Sequence, residues 1–327
     1  MNTFNAFRIF DKNEKIEGRV VQASLDELTP GDVVIKAAYS SVNYKDALAG
    51  TGTGKIVRRY PLVGGIDVSG SVASSTDPRF QTDDDVLVTG YDLGVTQDGG
   101  FAEYTRVPAD WVVPIPTGMT PFQAMALGTA GFTAALSIIE MERNGLAPGS
   151  GPVIVTGSTG GVGSIGVELL AALGYEVTAL TGKDDAHDHL RSLGAREVLS
   201  RKTLNMGTRP LEKALWAGAL DVTGGAILSW ITRTMRRGGC IASSGLTAGV
   251  ELETTVMPFI LRGVKLLGID SATCPMAQRR EVWARLATDM KSAHTNAIVR
   301  EIGLADLPDA FATLLRGDAR GRFVVKI

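Results

Sequence analysis

The chain has 327 residues, 44% of them hydrophobic and 21% charged, with a formal net charge of −2. That length supports one large or two medium domains with a full core, and the near-neutral charge gives no reason to expect nucleic acid as a partner. The only two cysteines, Cys240 and Cys274, exclude a disulfide framework and a four-thiolate zinc site.

The start, MNTFNAFRIF, lacks a charged segment followed by a long apolar run, so no secretory signal is expected. No apolar stretch of about 18 residues stands out, so no membrane span is expected either. A soluble cytoplasmic protein is the simplest reading.

Residues 1–120 read as short strands and turns. Val33 to Tyr39 is a strand preceded by a Pro30-Gly31-Asp32 turn. Asn43 caps a short helix that begins with Tyr44. Asp83-Asp84-Asp85 ahead of Val86-Leu87-Val88 is a solvated turn, because no further ligand cluster lies nearby. Closely spaced strands of this kind predict a compact β barrel or sandwich. Tyr44 is the polar residue to watch, since a phenol can donate a proton to a substrate being reduced. The alternative is a ring packed on its neighbours with the hydroxyl at the surface.

From Pro121 the pattern changes. Phe122–Leu127 and Gly131–Leu136 read as helices, and Val153-Ile154-Val155 as a buried parallel strand. Glycines follow at 157, 160, 161, 163 and 166, then Val162, Ile165, Leu169, Leu170 and Leu173 recur at helical spacing. Strand, glycine turn and helix form the setting of a dinucleotide loop, in which free N–H groups and the positive helix end face a pyrophosphate.

Glu176–Leu180 is the second strand. NAD-specific folds end this strand with an acid that grips the ribose 2′-hydroxyl. Here Thr181-Gly182-Lys183 follows, and Arg201 lies past the next strand at Val198-Leu199. A hydroxyl, a flexible glycine and two cations suit a 2′-phosphate, hence NADPH; Asp184 argues slightly against it.

Further strands at Ala219–Thr223, Cys240–Ser244 and Val264–Ile269 alternate with helices, which predicts a doubly wound parallel sheet. Ligands of such sheets sit beyond the strands' carboxyl ends, so the loops at Leu246 and Ser271 are candidates to line the nicotinamide. Helices are expected at 279–290 and 307–315, and Arg322–Ile327 reads as a strand that rejoins the first domain. His187, His189 and His294 lack metal-ligand spacing.

Four stretches together resemble a known family: Ser41-Val42-Asn43-Tyr44-Lys45-Asp46, Gly128-Thr129-Ala130-Gly131-Phe132-Thr133-Ala134, Thr156 to Ser164, and Thr254 to Arg262. They look like the zinc-free quinone-oxidoreductase branch of the medium-chain dehydrogenase/reductase superfamily, and most like its acrylyl-CoA reductase group, the YhdH/AcuI type. The resemblance covers nearly the whole chain. It implies an α/β protein with a Rossmann doubly wound parallel sheet in residues 122–295. It also implies a GroES-like β-barrel catalytic domain in residues 1–121, completed by about 296–327, with NADPH in the cleft between them.

By motif match the cofactor contacts would be Tyr44, Thr159, Gly160, Gly161, Val162, Thr181, Gly182, Lys183, Arg201, Leu246, Ile260 and Ser271. Tyr44 would also be the catalytic candidate. Arg322 and the pair Arg58-Arg59 are candidates for a positive rim that would hold CoA phosphates, with ordinary solvated surface charge as the simpler reading of each. The implied reaction is reduction of acrylyl-CoA to propionyl-CoA, with an NADPH:quinone or enone reductase as the alternative. A homodimer is implied, and zinc is not expected. Zinc alcohol dehydrogenases carry Gly-His-Glu where this chain has Gly64-Gly65-Ile66-Asp67, and their cysteine-rich lobe is missing.

Overall fold

The computed structural model describes residues 3–293 and 298–327. The expected domain limit near 295 and His294 fall outside the described residues. Internal contacts divide the chain into two units. The first holds the chain through Thr129, Ala272–Ala287 and the C-terminal part; the second holds Ala130–Ser271 and a return from Thr288.

The chain opens with a hairpin of β1 (Phe4–Lys12) and β2 (Lys15–Ala23). Asn13 and Glu14 join them at φ 54° and 68°, the left-handed pair that matches strand twist in a two-residue loop. Then come β3 (Val33–Val42), α1 (Tyr44–Thr51), β4 (Leu62–Val63), β5 (Asp67–Ser75), β6 (Asp85–Thr89), β7 (Tyr104–Val107) and β8 (Val113–Pro114).

Next, α2 (Pro121–Arg143) consists of two helical segments that meet at a non-helical Gly128, in keeping with the two helices expected there, the second running on to Arg143. An 18-residue window of α2 is long and apolar enough to cross a membrane by composition, but 83% of it is buried inside the fold. Gly128, Thr129 and Gly131 interrupt its apolar run.

The second unit follows: β9 (Val153–Thr156), α3 (Gly161–Ala172), β10 (Val177–Thr181), α4 (His187–Ser192), β11 (Glu197–Ser200), β12 (Trp216–Asp221), α5 (Gly225–Thr234), β13 (Met235–Ser243), α6 (Met257–Arg262) and β14 (Lys265–Gly268). The chain ends with α7 (Met276–Ala287), β15 (Val299–Ile302), α8 (Leu307–Leu315) and β16 (Arg322–Lys326). Helix α7 starts three residues before the expected Arg279, directly after Pro275, which suits a helix start.

In the second unit six parallel strands run in the order β11-β10-β9-β12-β13-β14. This is the doubly wound dinucleotide order, with its switch point between β9 and β12. Both faces of the central strands are covered, so they are largely apolar: Val153, Ile154, Val155, Val177, Ala179, Ala219, Leu220, Ile241 and Ala242 are at most 1% exposed.

In the first unit one sheet orders β15-β16-β3-β5-β6-β8 with β7 also on β3, and a second orders β2-β1-β4. Strand β16 pairs antiparallel with β3, which ties the chain's end to this unit. Phe7, Phe101 and Phe311 interlock in its core, Phe7 standing edge-on to Phe101 and Phe311 at 6.3 and 5.8 Å.

Helical geometry breaks inside α2 at Gly128, with φ 52° and ψ −155°. A Cβ there would lie 2.5 Å from Ser41 Oγ, 2.6 Å from Asp67 Oδ2 and 2.7 Å from Arg322 Nη2. No side chain fits, and the backbone angle disfavours one. Gly128→Ala is expected to lower unfolding stability by about 3 kcal/mol, combining backbone strain with overpacking. A urea denaturation midpoint equal to wild type would contradict this.

Candidate active site

The turn after β9 is built to leave backbone uncovered. Gly157 sits at φ 56°, and a Cβ there would strike Val222 Cγ2 at 2.7 Å. A Cβ at Gly160 would meet only Gly157 O, at 3.4 Å, and otherwise project into open space ahead of α3. Gly160 is the residue before the helix, at φ −82° and ψ 174°, and Ser164 N already bonds Gly160 O at 2.8 Å. The N–H groups of Gly161, Val162 and Gly163 therefore begin the helix without intrahelical acceptors. A clear space in front of such a helix end is what a dinucleotide pyrophosphate requires, so the residues present fit that group.

Around this turn the parallel sheet gathers most of the expected cofactor residues. Thr159, Gly160, Gly161 and Val162 follow β9; Thr181, Gly182 and Lys183 follow β10; Arg201 follows β11. Thr181 and Ser200 face each other across β10 and β11, and Arg201 reaches back over Gly182, its Nη2 3.2 Å from where a Cβ would be. Leu246 and Ser271 follow β13 and β14 at the same sheet edge.

Two details differ from expectation. The Thr181 hydroxyl is 3% exposed and accepts from Lys183 N at 3.1 Å, so it shapes the turn rather than facing outward. Asp184 accepts from Ser200 Oγ at 2.7 Å and Lys202 Nζ at 2.9 Å, contacts that hold its carboxyl below the usual range. The acid that weighed against a 2′-phosphate is thus already paired with a cation.

Ile260 is not brought to this group. It lies on α6, 71% exposed, and two residues later Arg262 donates to the carbonyl of Arg233 in the last turn of α5 and to that of Met235, the first residue of β13.

In the first unit Tyr44 opens α1 and is 39% exposed. Behind it lies a polar cluster that sequence reasoning missed. The buried Asp67 carboxyl accepts from Ser41 Oγ at 2.6 Å, Asn43 Nδ2 at 2.8 Å, Thr129 N at 2.9 Å and Thr129 Oγ1 at 2.5 Å. Asn43 does precede the helix, but its side chain serves Asp67 and Arg322; the bond that closes the helix start runs from Asn43 N to Asp46 Oδ2 at 2.8 Å.

The reading of Arg322 as a rim cation is corrected. It is 4% exposed, and its guanidinium donates to Ser41 Oγ, Val42 O, Asn43 Oδ1 and Ala126 O at 2.8 to 3.4 Å. A guanidinium so enclosed cannot reach a substrate phosphate at the surface. Arg58 and Arg59 are exposed, and Arg59 is held to the buried Asp98 at 2.7 Å. The available signal for the cluster was a lone acid, Asp67, at the end of the apolar run Leu62-Val63-Gly64-Gly65-Ile66.

Among the described residues no three His, Cys, Asp or Glu side chains are placed to hold a metal. Cys240 is buried, which pushes its thiol up to about 11, away from thiolate chemistry.

Two family profiles match: the alcohol dehydrogenase GroES-like domain over residues 29–117 and the zinc-binding dehydrogenase over residues 161–289. The chain is 48% identical over 326 residues to the putative quinone oxidoreductase YhfP of Bacillus subtilis, covering 99% of each chain. The chain belongs to the medium-chain dehydrogenase/reductase superfamily, in the branch of the YhdH/AcuI type.

Within that branch it is 46% identical to acrylyl-CoA reductase AcuI of Ruegeria pomeroyi over 328 residues, again 99% of each chain. The crystal structure of the yhdH oxidoreductase from Salmonella enterica in complex with NADP matches with TM-score 0.96 and 45% identity over 99% of each chain. That of the B. subtilis YhfP protein, with NAD bound, matches with TM-score 0.97 and 47% identity over 100% of each. The fold is the superfamily's: a Rossmann doubly wound sheet and a GroES-like domain.

Asp46 carries a testable consequence. It is 2% exposed and accepts from two backbone N–H groups, Asn43 N and Ile66 N at 2.8 and 3.0 Å. Burial and the neighbouring Asp67 outweigh those bonds and raise its carboxyl to about 7. A folded value above the unfolded one means the native state holds the extra proton, so this group's contribution is full below about pH 4 and is lost as pH rises through about 7. The stability of wild type minus that of Asp46→Asn is therefore expected to fall between about pH 4 and 7 and flatten above. A difference that rises over that window in denaturant titrations would contradict the assignment.

Proposed function

We propose that this protein reduces the 2,3 double bond of acrylyl-CoA, a small enoyl thioester, to propionyl-CoA with NADPH. The observation that carries the reading is the pairing of the uncovered glycine turn with Lys183 and Arg201 at the ends of the adjoining strands. Two cations beside the second strand, with Asp184 engaged by Lys202, favour a 2′-phosphate. The substrate is inferred from the full-length likeness to the enzyme named acrylyl-CoA reductase.

NADPH, when bound, supplies a hydride to the β-carbon, and a proton at the α-carbon completes the two-electron reduction. The residues of the chain do the rest. Gly161 and Val162 receive the pyrophosphate with backbone N–H groups, while Gly160, whose own N–H bonds Gly157 O, lets it approach; Gly182, Lys183 and Arg201 receive the 2′-phosphate, and Thr181 holds their turn in shape. Leu246 and Ser271 border the nicotinamide. Tyr44 orients the nicotinamide or the substrate from the exposed start of α1, and the α-proton comes from its phenol or from water.

The GroES-like catalytic domain takes residues 1–121 with the C-terminal segment from about 296, and the Rossmann domain takes residues 122–295. The reaction is zinc-independent in this reading. At Gly64-Gly65-Ile66-Asp67 no imidazole or thiol is present, and the one acid is occupied by Ser41, Asn43 and Thr129. The protein works in the cytoplasm as a homodimer. Support for the dimer is that β14 pairs on one side only among the described residues, and that Ile260 and Leu261 on the preceding helix α6 and Leu266 on β14 itself are exposed.

A second reading, NADPH:quinone or enone oxidoreductase, draws on the relative named putative quinone oxidoreductase. Steady-state rates with NADPH and acrylyl-CoA, crotonyl-CoA or a simple quinone separate the two. The highest kcat/KM is expected for acrylyl-CoA, and a higher value for the quinone would overturn the first reading. Lys183→Ala is expected to raise KM for NADPH roughly 10- to 100-fold, the range of one charge-assisted contact, with little change for NADH. Equal effects on both cofactors would contradict the 2′-phosphate assignment.

A further inference from the structure

One buried carboxyl has no part in that scheme. Asp221 ends β12 directly at the switch point and is fully buried. Its Oδ1 accepts from Thr156 Oγ1 at 2.7 Å and Thr223 Oγ1 at 2.9 Å; its Oδ2 accepts from Gly224 N at 2.9 Å. Thr156 is the last residue of β9, and its hydroxyl oxygen in turn accepts from Val222 N at 3.0 Å. The two strand ends on either side of the switch point are thus joined side chain to side chain.

Residues 222–224, which this cluster fixes, touch two loops. On one side Val222 Cγ2 and Thr223 Cγ2 stand where a Cβ on Gly157 would be, against the glycine turn. On the other side Ser244 N bonds Asp221 O at 2.9 Å, Ala248 N bonds Thr223 O at 2.8 Å, and a Cβ on Gly245 would overlap Val222 O. The second loop is the one that carries Leu246. The cluster therefore sits between the turn assigned to the pyrophosphate and the loop assigned to the nicotinamide.

We infer that Asp221, acting through Thr156 and residues 222–224, is a positioning residue that fixes the spacing of these two loops and so matches them to a whole dinucleotide. Its contribution falls on ligands that span both loops, not on the adenosine end held by Lys183 and Arg201. Isolated buried acceptors of this kind keep a turn in one conformation, because every donor around them would otherwise lose its partner. The inference rests on the NADPH reading, and the experiment distinguishes failure of one from failure of the other.

The test compares NADPH with 2′-AMP, which carries the adenosine 2′-phosphate but no pyrophosphate or nicotinamide, by calorimetric titration of the full-length protein. Asp221→Asn replaces one of two acceptor oxygens with a donor. It is expected to weaken NADPH roughly 10- to 100-fold, the cost of a buried donor left unpaired, while 2′-AMP binds as to wild type. Thr156→Val removes the hydroxyl that joins the strands and is expected to behave alike, with Thr156→Ser restoring wild-type affinity; this pair serves if Asp221→Asn does not fold. Equal weakening of both ligands would reduce Asp221 to a general structural role and overturn the inference, as would no weakening of either. Either of those results, obtained while wild-type protein binds NADPH, would overturn the inference alone and leave the cofactor reading standing; wild-type protein that binds 2′-AMP but not NADPH would overturn both. Wild-type protein that binds neither would overturn the cofactor reading beneath it.

Discussion

The structure depends on parallel pairing around β9. Hydrogen bonding to β10 on one side and β12 on the other places Thr156 and Asp221 side by side, with Thr181 one strand further out. A parallel sheet with this order must diverge at its centre, and the two chains that leave it there cannot cover the gap with side chains and still leave room for a ligand. Gly157 and Gly160 meet that constraint in different ways. The first makes room for Val222, and the second leaves the approach to α3 open.

The charged groups that fold away follow a different rule. A buried carboxyl is stable where donors converge on it, as they do at Asp67 in the first unit and at Asp221 in the second. In the first unit Asp67 collects Ser41, Asn43 and Thr129 and shares Ser41 and Asn43 with Arg322, which lies 3.9 Å from it. This centre links β3, β5, the break in α2 and β16, and it sets the start of α1 from which Tyr44 projects. In the second unit Asp221 does the corresponding task for the two turns at the switch point. Neither carboxyl needs to contact a ligand to matter to one. Each fixes backbone next to residues proposed to contact the cofactor.

Much of this was legible in the sequence, because the second unit obeys local rules. Strand, glycine turn and helix at Val153 to Leu173, and the alternation of strands and helices after it, follow from periodicity and turn residues alone. The proposal of Lys183 and Arg201 for a 2′-phosphate starts from the absence of an acid at the end of β10. What escaped depends on pairing between residues far apart in the chain. Arg322 reads as a surface cation until β16 is seen to lie against β3, 280 positions from Val42. Asp46 looks like an ordinary helix-start acid until Asp67 is folded beside it. Ile260 belongs to a motif that resembles the family, yet α6 takes it toward the amino ends of the sheet.

The most direct measurement of the central claim is amide hydrogen exchange on the intact protein with and without saturating NADPH. The account predicts slowed exchange in the peptide covering Gly157 to Gly163, where the N–H groups of Gly161, Val162 and Gly163 face the pyrophosphate, and in the peptide covering Thr181 to Lys183, whose turn the 2′-phosphate steadies. Unchanged exchange in both segments, with protection confined to other parts of the chain, would contradict it.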